Sequence, residues 1–293
     1  MVIELIQAAV EKTGIRRVAL SGGVFMNVKM NQRISSLSCL DKAYFQPSCG
    51  DESLVIGGAC KTYLDAKIPP TPINSMYHGH AYTNAEVEEY LKSHGCLEKY
   101  QVEFIEDIES HIALLLSRYQ IVARFSGACE WGARSLCNRG ILGNASDLKT
   151  FFEVNDMIKM RDFWMPFAPT ILADWCQRYV RDWDTLAPKI GESAKYMIVT
   201  VDSTPLAQQH LRAAIHQKDK TLRPQVVEQA DNPKLHALLK KYEELTGMGG
   251  VMNTSLNIHG YPLVGTLDQA IFTLENSGLK HLTLENWLVS KAE

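Results

Sequence analysis

This chain has no block of like charge. Thirty basic residues stand against 33 acidic ones, the net charge is −3, and no Lys/Arg-rich run breaks the balance. The electrostatic footprint of a nucleic-acid or anionic-membrane binder is therefore missing, and any anion site has to be built locally. No apolar run reaches the roughly 18 residues that span a bilayer. The start, Met1-Val-Ile-Glu-Leu-Ile-Gln7, lacks the basic opening of a signal peptide, so the cytoplasm is the expected compartment. The seven cysteines (Cys39, Cys49, Cys60, Cys96, Cys129, Cys137 and Cys176) are odd in number and contain no Cys-x-x-Cys pair. That argues against a disulfide framework and a structural zinc site, and leaves reduced thiols in packing roles. Repeats and low-complexity segments are absent too.

What is present is enough apolar material, 46% of 293 residues, to build a core for two domains. Residues 1–66 read as helix, strand, helix, strand, helix: Arg17–Leu20 and Ala43–Phe45 are the strands, Val24–Ile34 and Glu52–Ala66 have helical spacing. Lys67-Ile-Pro-Pro-Thr-Pro72 then breaks the pattern and places a linker at 67–80. From 81 to 293 the pattern predicts helices near 84–94, 107–118, 147–160, 234–245 and 267–276. Strands are expected near 101–105, 121–125, 196–201 and 281–284. The class is α/β in two unequal parts.

Four segments carry chemistry. Arg124–Leu142 sets arginines and an acid among glycines after an apolar run, a setting that suits a phosphate or carboxylate because guanidinium binds such groups bidentately. Met252–Pro262 gathers amides, hydroxyls and His259. Ser21-Gly22-Gly23 between a strand and a helix reads either as a tight turn or as a nucleotide site at a helix start. Asn27 and Asn31, a turn apart, could face the same ligand or solvent. Asp51, after the next strand, is either a helix cap or a hard oxygen ligand for a divalent metal. His78 and His80 read as a solvated loop, and Trp164 and Phe167 as core.

Six segments occur in order that resemble the O-carbamoyltransferases of the nodulation-factor and antibiotic-tailoring type: Leu20–Asn27, the Pro47/Gly50-Asp51/Gly57-Gly58-Ala59 block, Gly127–Arg139, Lys159-Met-Arg161, Pro166–Pro169 and Asn253–Asn257. The resemblance covers nearly the whole chain. It implies that 1–66 are the end of an actin-like (RNase H-like) nucleotide and metal domain and that 81–293 are a YrdC-like domain. By that resemblance Arg134, Lys159 and Arg223 hold carbamoyl phosphate, with Arg134 and Lys159 catalytic and Asn253 and Ser255 completing the pocket. Ser21, Gly22, Gly23 and Asn27 line ATP, and Asp51 is a ligand to Mg or Fe. The implied reaction makes carbamoyl-adenylate from carbamoyl phosphate and ATP and passes the carbamoyl group to the hydroxyl of a small molecule.

The chain departs from the family pattern in places. Gly132-Ala-Arg-Ser-Leu-Cys137 stands where many relatives have Gly-Pro-Arg-Ala-Leu-Gly, Met165 where many have an arginine, Gly140 in place of a common serine and Leu256 in place of a common phenylalanine. The family's catalytic His and His-x-x-x-His pair have no counterpart, since no histidine precedes His78. The expectation is that a separate amino-terminal half, or self-association, completes the first domain. Two other classes stay open: a binding module for carbamoyl phosphate or nucleotide without transfer, and an acyl-adenylating YrdC-type enzyme.

Overall fold

The computed structural model describes residues 1–160, 162 and 165–292; Arg161 and Trp164 of the motifs lie outside them. Helix α1 (Val2–Thr13) ends at Gly14, whose φ of 70° is the left-handed cap glycine adopts most easily. Strand β1 (Arg17–Leu20) pairs in parallel with β2 (Lys42–Phe45). Between them the single expected helix is two pieces, a 3-10 turn over Gly23–Met26 and α2 (Val28–Ser35). The break is at Asn27, whose side-chain oxygen accepts from the Met30 N–H at 3.0 Å, a local bond that competes with helix continuation. After β2, a 3-10 turn Asp51–Ser53 leads into α3 (Leu54–Asp65), none of whose residues is buried.

No helix or strand lies between Asp65 and Asn84, yet the second half of the linker is not loose. Met76 is buried, Tyr77 bridges Glu130, and Gly79 donates to the Cys129 carbonyl at 2.9 Å. Beyond it come α4 (Asn84–Ser93), α5 (Cys96–Lys99), β3 (Gln101–Phe104), α6 (Ile108–Ser117), β4 (Val122–Phe125), β5 (Arg139–Gly143) and α7 (Leu148–Val154). Next are β6 (Ala168–Leu172), α8 (Cys176–Tyr179), α9 (Trp183–Ala194), β7 (Val201–Asp202), α10 (Pro205–His210), β8 (Thr221–Leu222) and β9 (Gln225–Val227). The last elements are α11 (Pro233–Thr246), β10 (Gly250–Ser255), α12 (Leu267–Glu275), β11 (His281–Leu284) and β12 (Trp287–Ser290).

Eight strands form one mixed sheet in the order β3-β12-β11-β4-β5-β10-β6-β9, so the chain is α/β. Every residue of β4, β5 and β6 is buried, as expected of strands covered on both faces. Tyr196–Thr200, expected to be a strand, is not one. Met197, Ile198 and Val199 are buried, but the backbone serves other segments: the Ile198 carbonyl accepts from Asn31, and the Met197 N–H donates to the Pro224 carbonyl. Burial alone produced that apolar run, and a ladder needs a neighbour aligned with it. All seven cysteines are free. Among the described residues no helix is long and apolar enough to cross a membrane.

Candidate functional site

Sheet topology decides where the motifs meet. β4 is antiparallel to β5, β5 to β10 and β10 to β6, while β11 runs parallel to β4 and β9 parallel to β6. The carboxyl ends of β4, β10 and β11 therefore share one sheet edge with the starts of β5, β6 and β9. To this edge come the 126–138 loop, Asn253 and Ser255 at the end of β10, Phe167 before β6, and Gln225 with Arg223 two residues ahead of it. Ser255 lies opposite Gly140, and Asn253 opposite both Leu142 and Ala168.

Of the three arginines in Arg124–Leu142, two do not face a ligand, a correction to the reading of that stretch. Arg124 is 1% exposed and donates to the Cys137 carbonyl (3.0 Å) and Asn138 Oδ1 (3.1 Å). Arg139, fully buried, donates to the carbonyls of Ser126 (3.2 Å), Asn138 (3.0 Å) and His80 (3.1 Å) and lies 3.6 Å over the Phe125 ring. Burial lowers its pKa from the ordinary value. Both arginines satisfy loop carbonyls that would otherwise be buried without donors. Arg134 is half-buried at the loop's apex. Its charge acts on the Cys49 thiol, whose pKa burial raises and Arg134 opposes, so the loop faces the turn after β2. Gly132 makes that approach possible: its φ is +105°, and a Cβ there would come within 2.8 Å of Ser48.

Lys159 ends a π-helical turn, Asn155–Lys159, that extends α7, a distortion often found at functional sites. Its ammonium is buried and donates to the Ser255 carbonyl (2.6 Å) and hydroxyl (3.2 Å) and to the Asn257 carbonyl (3.0 Å) and side-chain oxygen. Asn253, also buried, donates to the Ser135 carbonyl at 3.0 Å, next to Arg134. Arg223, half-buried, precedes Gln225, whose amide nitrogen reaches the Leu136 carbonyl at 3.1 Å and whose oxygen accepts from Cys137 and Thr170. Gln225, Tyr77 and Asn257 were not among the candidates. Tyr77 donates to the Leu136 carbonyl at 2.9 Å, and nothing in its local pattern marks that contact 59 residues away.

The amino-terminal candidates lie at the carboxyl ends of β1 and β2. Ser21, Gly22, Gly23 and Asn27 are exposed. Asn31 does not share their face: it is fully buried, donating to the carbonyls of Phe25 and Ile198 at 2.7 Å each. Asp51 is exposed at the first position of its 3-10 turn, one residue past the cap position, and the neighbouring Glu52 is bound by the Ser48 hydroxyl, which holds its pKa below the ordinary value. Among the described residues no group of three or more His, Cys, Asp or Glu could hold a metal ion. One exposed carboxylate does not fit a divalent cation that wants six or more oxygens. His78 and His80 are exposed, His216 is held by Asp219 at 2.9 Å, His259 is exposed in its turn, and Phe167 packs on Phe151 in the core.

The model of the carbamoyltransferase C-terminus matches residues 113–291, and that of the carbamoyltransferase N-terminus matches residues 1–60. An uncharacterized protein of Methanocaldococcus jannaschii is 31% identical over 294 residues, which cover 99% of this chain and 47% of that one. The nodulation protein NolNO of Sinorhizobium fredii is 25% identical over 284 residues, 96% of this chain and 41% of that one. The solved structure of T. kodakarensis HypF is similar at a TM-score of 0.40 and 15% identity over 64% of this chain and 22% of that one. The chain spans less than half the length of either relative. It belongs to the carbamoyltransferase family.

Proposed function

We propose that this chain binds carbamoyl phosphate at the sheet edge around Arg134, with Lys159, Arg223, Asn253 and Ser255, and that residues 81–293 are the YrdC-like part that activates it with ATP. The observation that carries the reading is the convergence of the Arg134 loop, the Lys159–Ser255–Asn257 cluster, Asn253 and the Arg223 segment on one edge. In the proposed reaction water releases phosphate from carbamoyl phosphate, an oxygen of the resulting carbamate attacks the α-phosphorus of ATP, and pyrophosphate leaves. An acceptor hydroxyl then attacks the carbamoyl carbon and AMP leaves. Fixed cationic groups suit this chemistry because two anions must be brought together and no reorganisation is needed at the moment of reaction. Arg134, partly buried, supplies a guanidinium. Lys159 holds Ser255 and Asn257 in place and lends the pocket a buried positive charge.

Ser21, Gly22, Gly23 and Asn27 would contact nucleotide in the amino-terminal part. Their exposure favours a second reading, in which the chain binds carbamoyl phosphate without completing transfer. Calorimetry with carbamoyl phosphate tests the first step. Arg134→Ala should weaken binding about ten- to hundredfold, the loss of one charge-assisted contact of about 1.5–3 kcal/mol, and an unchanged affinity would remove Arg134 from the site. Mass spectrometry of reactions with ATP and hydroxyl compounds separates the two readings: a carbamoylated product supports transfer, and carbamoyl phosphate that is bound but left intact supports the binding module.

A further inference from the structure

The proposed reading gives Glu130 no role, although it is the most heavily engaged carboxylate at this edge. Glu130 is 6% exposed. A single oxygen, Oε1, accepts from the backbone N–H groups of Leu136 (2.8 Å), Asn138 (2.8 Å) and Arg139 (3.0 Å), and the Ser135 hydroxyl stands 3.5 Å away. Residues 135–139 are all buried, so without this oxygen three N–H groups would be left unpaired away from water. The other face of the same loop is tied by carbonyls: Ser135 to Asn253, Leu136 to Tyr77 and Gln225, Cys137 to Arg124. A second buried carboxylate, Glu285, accepts from the Gly127 N–H at 2.5 Å and is itself paired with Lys234 at 2.9 Å, which fixes where the loop begins.

We infer that Glu130 is the positioning residue of the Arg134 loop: by gathering the N–H groups of residues 136, 138 and 139 on one oxygen it fixes the backbone immediately after Arg134, and so the direction in which that guanidinium meets its anion. The inference rests on the proposed carbamoyl phosphate site. Preorganisation of this kind is what lets a charged group stabilise an anion without first paying to order a loop. Gln can keep the same three bonds through its amide oxygen. Ala cannot, and Asp falls one methylene short.

The test combines amide hydrogen exchange with calorimetry on the full chain, using carbamoyl phosphate as ligand. In Glu130→Ala the amides of Leu136, Asn138 and Arg139 should exchange at least about tenfold faster, and affinity should fall about tenfold, while Glu130→Gln stays close to wild type in both. In an Arg134→Ala background, Glu130→Ala should cost no further affinity, because its effect passes through Arg134. Additive losses, or a Glu130→Ala protein with wild-type affinity, would overturn the inference. Should Glu130→Ala fail to fold, Glu130→Asp carries the same expectations and the same refutation. A wild-type chain that binds no carbamoyl phosphate would defeat the proposed function instead, and the three amides would still decide whether Glu130 holds the loop.

Discussion

Cys137 shows how a single backbone angle explains a departure from the family pattern. Its φ is 73°, in the left-handed region that costs an L-residue about 1–2 kcal/mol, and the family pattern that the sequence resembles has glycine there. The buried thiol offsets part of this through Thr170 Oγ1 at 3.1 Å and Gln225 Oε1 at 3.3 Å, and burial pushes its pKa up to about 12, so it is a packing group and not a nucleophile. Cys137→Gly and Cys137→Ala both lose the sulfur, and only glycine escapes the strained angle. Glycine should therefore be the more stable variant by about 1 kcal/mol; denaturant unfolding of the pair measures it, and equal stability would mean the backbone relaxes around residue 137.

At the scale of elements, α3 is the anomaly. Leu54 (71% exposed), Val55 (65%) and Leu64 (58%) lie on a helix with no buried residue, whereas β2 and α2 are anchored through Phe45 to Ser193 and through Asn31 to Ile198. Large apolar side chains left exposed on one helix invite contact with another surface. If α3 is solvated in the pure chain, Val55→Lys and Leu64→Glu should leave stability within about 0.5 kcal/mol and the light-scattering mass unchanged. A loss well beyond that would show that a second copy covers the helix in solution.

Across the whole molecule, two half-buried imidazoles set a pH response. His210, beside Tyr179 Oη at 2.9 Å, and His281, beside Ser290 Oγ at 2.9 Å, both have pKa values lowered by burial, then by neighbouring cations: Arg178 for His210 and Lys280, with His111, for His281. Each binds its proton less tightly folded than unfolded. The unfolded chain therefore takes up more protons below the ordinary value of 6.5, and stability present above that pH is lost as the pH falls through the folded values. Urea unfolding between pH 7.5 and about 5 should show this decline, and His281→Asn should flatten it. An unchanged slope would assign the acid sensitivity to carboxylates.

Much of the architecture was legible in the chain because its cause is local. The helices at 84–93, 108–117, 233–246 and 267–275 follow from apolar spacing with Thr83, Asp107, Asn232 and Thr266 as caps, and each of those side chains accepts from the first turn it precedes. The motif order alone pointed to carbamoyltransferases. Local pattern could not separate Arg134 from Arg124 and Arg139, because all three sit among the same glycines and only the buried carbonyls of the folded loop distinguish the two fully buried scaffold arginines from the partly buried one. Nor could it foresee that Tyr196–Thr200 would give its backbone to Asn31 and Pro224, or that Tyr77 and Gln225 would meet at Leu136. Those pairings join residues far apart in sequence, and the order and direction of the eight strands, which no short window of residues encodes, decide which of them share an edge.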